Sequence, residues 1–194
     1  MTRGKSVSVL GALAVALSCL GAVAVGSLRR VGVSQGYAPE QPIAFSHRLH
    51  AGDHRVPCLY CHFAAETSRH AGIPPMNVCM NCHSQLKLAS AELEKLHEAV
   101  AQRRAIRWIK VHNLPDFVYF NHSQHVLRGI ACQACHGRVE AMDRVCQVAP
   151  LTMGWCLRCH RAKGIVPPSL RGAAAVRGGT AAAIGGQDCS KCHY

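Results

Sequence analysis

Ten of the chain's twelve cysteines fall into five copies of one arrangement, two cysteines separated by two residues with a histidine directly after the second. The copies are Cys58-Leu59-Tyr60-Cys61-His62, Cys79-Met80-Asn81-Cys82-His83, Cys132-Gln133-Ala134-Cys135-His136, Cys156-Leu157-Arg158-Cys159-His160 and Cys189-Ser190-Lys191-Cys192-His193. Two thiols at this spacing match the two vinyl groups of a porphyrin, and the adjacent imidazole is carried beneath the iron as proximal ligand. That is the chemistry of covalent c-type haem attachment. Zinc uses paired cysteines and histidines too, but its sites do not require a histidine immediately after every pair. Disulfides are the other common use of cysteine in an exported protein. Neither explains five identical copies. The spacing therefore predicts five covalently bound haem c groups, with His62, His83, His136, His160 and His193 as proximal ligands.

Each iron also needs a ligand on its far side, or it keeps an open position where chemistry could occur. Eight further histidines are available: His47, His50, His54, His70, His97, His112, His122 and His125. Two pairs look alike, Phe45-Ser46-His47-Arg48-Leu49-His50 and Phe120-Asn121-His122-Ser123-Gln124-His125, and each precedes two attachment motifs. This is an internal repeat, with halves at 45–83 and 120–160 and the tail motif at 189–193 outside it. Histidines three apart on a helical turn share a face but are displaced along it, so each can serve a different iron. His47, His50, His122 and His125 are thus the expected distal ligands. His112 is the expected fifth, with Met153, Met142 and His70 as rivals, while His54 and His97 read as solvated. Distal ligands in such supply, and no attachment motif with lysine in place of histidine, favour electron transfer over haem enzymology on nitrogen or sulfur compounds.

These residues must be positioned by a chain of 194 residues that is 49% hydrophobic but only 5% aromatic. Few large rings are present to fill a core. Five macrocycles shared among the residues after the N-terminal segment leave about 33 residues each, so the haems themselves form the expected core. The expected fold is mainly α with much irregular structure, a class III-like multihaem cytochrome c with one N-terminal transmembrane helix. Val7 to Leu28 carries no charge and is bracketed by Arg3, Lys5, Arg29 and Arg30, a length that spans a bilayer. A cleaved signal peptide is the competing reading, because Ala22-Val23-Ala24 offers small residues at cleavage spacing. The expected domains are an anchor over 1–30 and a haem-bearing body over 31–194. Because haem c is attached outside the cytoplasmic membrane, the body is expected in the periplasm behind a single-pass anchor. Ser90 to Arg104 reads as a connecting helix with Leu93, Leu96 and Val100 on one stripe. Arg161 to Gln187, rich in Gly, Ala and Pro, reads as a long loop. Cys146 reads as a free buried thiol.

The charge balance is 22 Lys plus Arg against 10 Asp plus Glu, a formal +12. Such an excess ordinarily suggests nucleic acid or anionic membrane. Ferric haems with their propionates lower it to roughly +7, and an exported protein meets no nucleic acid, so acidic partners and membrane lipid remain. No dinucleotide fingerprint, phosphate-binding loop or serine nucleophile elbow is present, which excludes the nucleotide-dependent and acyl-transfer classes those motifs mark.

Longer segments carry a resemblance. Phe45-Ser46-His47-Arg48-Leu49-His50-Ala51-Gly52, Gly72-Ile73-Pro74-Pro75 leading to the second motif, Leu114-Pro115-Asp116-Phe117-Val118-Tyr119-Phe120-Asn121-His122 and Pro150-Leu151-Thr152-Met153-Gly154-Trp155-Cys156 are similar to the pentahaem cytochrome c subunit of bacterial alternative complex III. The similarity runs over about 38–165 and the terminal motif, and class III-type multihaem cytochromes share its central segments. The resemblance implies a subunit of a membrane quinol-oxidising complex that passes electrons to a periplasmic cytochrome c or a terminal oxidase. It also implies an iron–sulfur and molybdopterin-like partner, polytopic quinol-handling subunits and a monohaem cytochrome c. Its axial ligands carry over to His47, His50, His122 and His125 and leave the fifth open. The alternative is a small anchored cytochrome that acts on quinol directly.

Overall fold

The computed structural model describes residues 3–28, 31–86, 89–162 and 189–193. The chain divides into two compact units, Met1–Val33 and Ser34–Tyr194. The first is built on helix α1, Arg3–Leu28. Its Leu10–Leu28 stretch is 19 residues long with a mean hydropathy of 2.0 and none of it buried. Exposed apolar side chains over this length suit a lipid environment. Its length and composition suit a membrane anchor and a signal sequence alike.

The second unit is mainly short helices joined by irregular segments, with no strand among the described residues beyond an isolated antiparallel bridge between Val118 and His193. In order they are a π-helical turn at Arg48–Asp53, α2 at Cys58–Cys61, a 3₁₀ turn at Phe63–Glu66, α3 at Met76–His83 and α4 at Ala91–Ala101. Then come α5 at His122–Val126, α6 at Gln133–His136, a 3₁₀ turn at Val139–Ala141, α7 at Met153–Arg161 and a 3₁₀ turn at Cys189–Lys191. Pro57 and Pro75, extended at ψ 141° and 154°, stand immediately before α2 and α3, where a missing N–H is no loss. Thr152 caps α7 through its hydroxyl, which accepts from Trp155 N at 3.4 Å.

The packing between the two halves is reciprocal. The π-helical turn that follows His47 packs on the 3₁₀ turn after the third motif, and α5, which carries His122, packs on the 3₁₀ turn after the first. Backbone bonds repeat the exchange: Arg48 N donates to Met142 O at 2.9 Å, and Ser123 N donates to Ser68 O at 3.2 Å. Arg48 and Ser123 each follow the first histidine of their pair, and Ser68 and Met142 each stand six residues beyond their motif's histidine. The sequence repeat is therefore a pseudo-two-fold exchange of contacts.

The connecting helix is shorter than expected. It ends at Ala101, and Arg103 and Arg104 lie beyond it, so they do not form its last turn. Arg103 sits at φ 50°. Arg103 N donates to Val100 O and Arg104 N to Ala99 O, the two bonds of a Schellman stop made here without glycine. Of the expected stripe Leu96 is buried while Leu93 and Val100 are half-buried; Ala99, outside it, is buried too, and α4 packs on α3. Arg161 is the last residue of α7, while 163–188, most of the expected loop, lie outside the described residues. Cys146 is a free thiol but half-buried rather than buried.

Among the described residues, the buried apolar side chains are Ala65, Leu96, Ala99 and Ala149. Three alanines and a leucine withdraw far too little apolar surface to offset the ordering of such a body, given about 25 cal/mol per Å² gained against about 1–2 kcal/mol per residue fixed. The polypeptide by itself does not hold a conventional core.

Candidate functional site

The repeat's histidine pairs are positioned by local hydrogen bonds of the same kind in both halves. Ser46 Oγ accepts from Leu49 N at 3.1 Å, and the Ser46 carbonyl meets His50 Nδ1 at 2.9 Å. In the second half Asn121 Oδ1 accepts from Ser123 N at 3.0 Å, and the Asn121 carbonyl meets His125 Nδ1 at 2.9 Å. Phe45 stands edge-on to His47 at 4.8 Å and over His50 at 4.3 Å; Phe120 repeats this with His122 at 4.8 Å and His125 at 4.6 Å. One cap and one phenyl ring thus fix two imidazoles in each half.

Each of these four imidazoles faces the histidine of an attachment motif in its own half. The ring centroids are 6.5 Å apart for His47 and His62, 6.0 Å for His50 and His83, 6.3 Å for His122 and His136, and 6.1 Å for His125 and His160. The interplanar angles share the pseudo-symmetry, 4° and 12° for the first and third motifs, 65° and 52° for the second and fourth. Two imidazoles on opposite sides of one metal, with metal–nitrogen bonds of about 2 Å and about 1.1 Å more to each ring centre, stand about 6.2 Å apart. All four separations lie within a few tenths of that value.

The Nδ1 atoms agree with such a role. His62 Nδ1 meets Gly72 O at 2.8 Å and His122 Nδ1 meets Arg69 O at 2.8 Å, which leaves Nε2 for a metal. Burial, with His62 and His50 adding to it, holds the His47 imidazole down to about 4. Burial and the neighbouring His112, His122 and His62 do the same to His136, also to about 4. His83, His112 and His125 are lowered too, chiefly by burial. Near neutral pH these rings are therefore uncharged, the form that coordinates metal.

The donor set was tested against the alternatives. All twelve cysteines are free thiols. Among the described residues no three His, Cys, Asp or Glu side chains converge to hold a bare ion, so a tetrahedral zinc site has no ligand set. Two opposed imidazoles with a thiol pair beside one of them are what an iron porphyrin requires: two axial nitrogens and two thioether links. Among the described residues, the buried side-chain atoms without partners are His47 Nδ1, His83 Nδ1 and Arg69 Nε. Arg69 lies beside the third pair through its carbonyl, with its guanidinium 4.3 Å over the Tyr119 ring, and its unpaired donor suits a carboxylate such as a propionate. The residues present fit haem.

The fifth motif is arranged differently. His193 bridges to Val118, Tyr119 N donates to Cys192 O at 2.6 Å, and the ring 5.7 Å from His193 is that of Phe117. Phe117 carries no metal-binding atom. His112 does not face His193; it meets His136, with Nε2 3.2 Å from His136 Nδ1. Met153 is 66% exposed at the start of α7, Met142 is half-buried, and His54, His70 and His97 are exposed.

The thiols also show how the motifs neighbour one another. Cys58 and Cys132 are hydrogen-bonded, joining the first and third motifs. Cys61 is within electrostatic reach of Cys79 and Cys82, Cys135 of Cys159 and Cys156, and Cys156 of Cys192. The thiols of the second motif thus neighbour the first, the first the third, the third the fourth and the fourth the fifth. Burial first, and then this crowding, pushes the Cys61, Cys132, Cys135 and Cys156 thiols up, so they stay protonated.

No protein-family model matches the sequence. The chain is similar to the multihaem cytochrome c subunit of menaquinone reductase from Nitratidesulfovibrio vulgaris (Hildenborough), 36% identical over 98 residues. That stretch is 50% of this chain and 46% of that protein, so the chain spans about half the length of the curated relative it matches.

Proposed function

We propose that this chain is a membrane-anchored multihaem cytochrome c, an electron-transfer subunit of a quinone-linked respiratory complex, with five covalently bound haems. The observation that carries it is the set of four imidazole pairs about 6 Å apart, each with one partner from an attachment motif. The similarity to a menaquinone reductase subunit supports the quinone link. Haem supplies a one-electron iron couple whose potential is tuned by axial ligands, hydrogen bonds and exposure.

The chain's own part is to hold and order. The ten motif cysteines make the thioether links. His62, His83, His136, His160 and His193 serve as proximal ligands, and His47, His50, His122 and His125 close the opposite faces of four irons. Held by two imidazoles each, four bound haems would supply electron transfer and leave no open place for a substrate. The neighbouring thiols support an order of attachment points from the second motif through the first, third and fourth to the fifth. α1 anchors the body on the periplasmic side of the cytoplasmic membrane.

The finer assignment is to alternative complex III, with electrons leaving quinol for a periplasmic cytochrome c or oxidase. The iron–sulfur and molybdopterin-like subunit, the polytopic quinol-handling subunits and the monohaem cytochrome c are its partners. The relative's name favours a second reading, in which the same sites deliver electrons toward quinone instead. The deciding experiment adds a quinol to the purified chain and to its membrane complex while following haem absorption. Reduction in the complex alone supports a relay subunit. Reduction of the isolated chain shows direct quinol chemistry, and no reduction in either overturns the oxidising direction.

A further inference from the structure

The proximal histidines of the first and third motifs hold equivalent places in the two halves, yet their Nδ1 atoms meet different acceptors. His62 Nδ1 faces the Gly72 carbonyl at 2.8 Å, whereas His136 Nδ1 faces His112 Nε2 at 3.2 Å. The two rings of the second contact stand edge-on, 4.4 Å between centroids at 77°. A histidine that ligates through Nε2 keeps its proton on Nδ1. His136 is then the donor, His112 Nε2 the acceptor, and the proton of His112 lies on its own Nδ1. Both nitrogens of His112 are committed, and neither has a lone pair left for an iron.

The segment that carries His112 is tied in place. Asn113 N donates to Gln147 Oε1 at 3.0 Å, and Gln147 is fully buried. Gln147 Nε2 donates to Ala149 O at 3.1 Å, and its backbone bonds Tyr37 O at 3.0 Å and Gly36 N at 2.7 Å. A buried amide bonded through its side-chain oxygen, its side-chain nitrogen and both backbone groups is a firm anchor. Its Oε1 is spent on the backbone of the residue after His112.

Resting on the haem reading above, we propose that His112 is a positioning residue for the third haem: it accepts the Nδ1 proton of His136, fixes that ring's tautomer and rotation, and lowers the potential of the iron His136 serves. A neutral imidazole nitrogen is a more basic acceptor than a peptide carbonyl. The stronger the pull on the Nδ1 proton, the more electron-rich the ligand and the better it stabilises the ferric state. The contact sets the third site apart from the first, its partner in the repeat. His112 is thereby withdrawn from the distal ligands.

The test uses full-length, haem-loaded protein in detergent, with H112L to remove the acceptor and H112Q to offer an amide carbonyl in its place. H112L is expected to keep the parent's haem count and spin states while one of five midpoint potentials rises in a spectroelectrochemical titration. H112Q is expected to return that potential toward the parent value. A new high-spin ferric signal in H112L would make His112 an axial ligand and overturn the proposal, as would five unmoved potentials. If H112L does not accumulate, ¹⁵N-histidine NMR of the unaltered reduced protein decides. A protonated His136 Nδ1 in contact with the His112 ring supports the assignment, and an Nδ1 proton exchanging freely with water overturns it. A haem count on the parent separates the two claims, since fewer than five overturns the haem reading itself, whereas five with unmoved potentials overturns only the role of His112.

Discussion

An imidazole that serves a metal through one nitrogen is oriented by what its other nitrogen meets, and for His50, His62, His122 and His125 that partner is a backbone carbonyl. Ser46 and Asn121 each stand directly before a histidine pair and supply the carbonyl for its second member, so the same backbone position orients one imidazole in each half. Replacing His122 by Ala removes one partner of the 6.3 Å pair with His136. The expected result is one haem of five converted from low-spin to high-spin, read by electron paramagnetic resonance, with the covalent haem count unchanged. Replacing Asn121 by Ala removes the cap on α5, and the expected loss is about 1 kcal/mol in denaturant unfolding followed at the haem absorption band. The four imidazoles that face motif histidines were legible because the Phe-x-His-x-x-His pattern occurs twice. The role of His112 was not, because Val111-His112-Asn113 has no counterpart in the other half, and a contact with His136 across 24 positions leaves no mark in local spacing.

At the scale of elements, the short helices are positioned by what they exchange across the pseudo-two-fold. Gly52 in the π-helical turn lies where an added Cβ would meet the carbonyl oxygen of Glu140 in the opposing 3₁₀ turn. Backbone cannot yield as a flexible side chain can, so Gly52→Ala is expected to cost about 1–3 kcal/mol by overpacking. Thermal unfolding of the haem-loaded protein checks this, and an unchanged midpoint would contradict the reciprocal packing. Arg48 spans the same junction, with Asp53 at 3.1 Å and Asp143 at 3.0 Å, but these side chains are exposed and contribute little. The sequence showed two halves by their repeated motifs. It did not show that each half's histidine turn packs on the turn behind the other half's motif, because that pairing depends on backbone bonds that any residue can make. The early end of α4 is similar: Arg103 in a left-handed conformation carries no glycine to announce the stop.

For the whole molecule, the sparse core and the cysteine count point the same way. Among the described residues, three alanines and a leucine are too little buried apolar surface to hold such a body, and an aromatic content of 5% already implied that the interior is furnished by something other than side chains. Removal of residues 1–33, with export supplied by another leader, is expected to release the haem-bearing body into the soluble fraction, measured by fractionating cells on haem absorption. A body still bound to membranes after that truncation would place its attachment elsewhere.

The account's central claim is covalent haem at all five motifs, and the intact mass of the purified protein tests it most directly. The expected mass exceeds that of the polypeptide by five haem groups and falls by one when both cysteines of any single motif are replaced by serine. A mass equal to the bare chain, or one raised by metal ions without porphyrin, would contradict it.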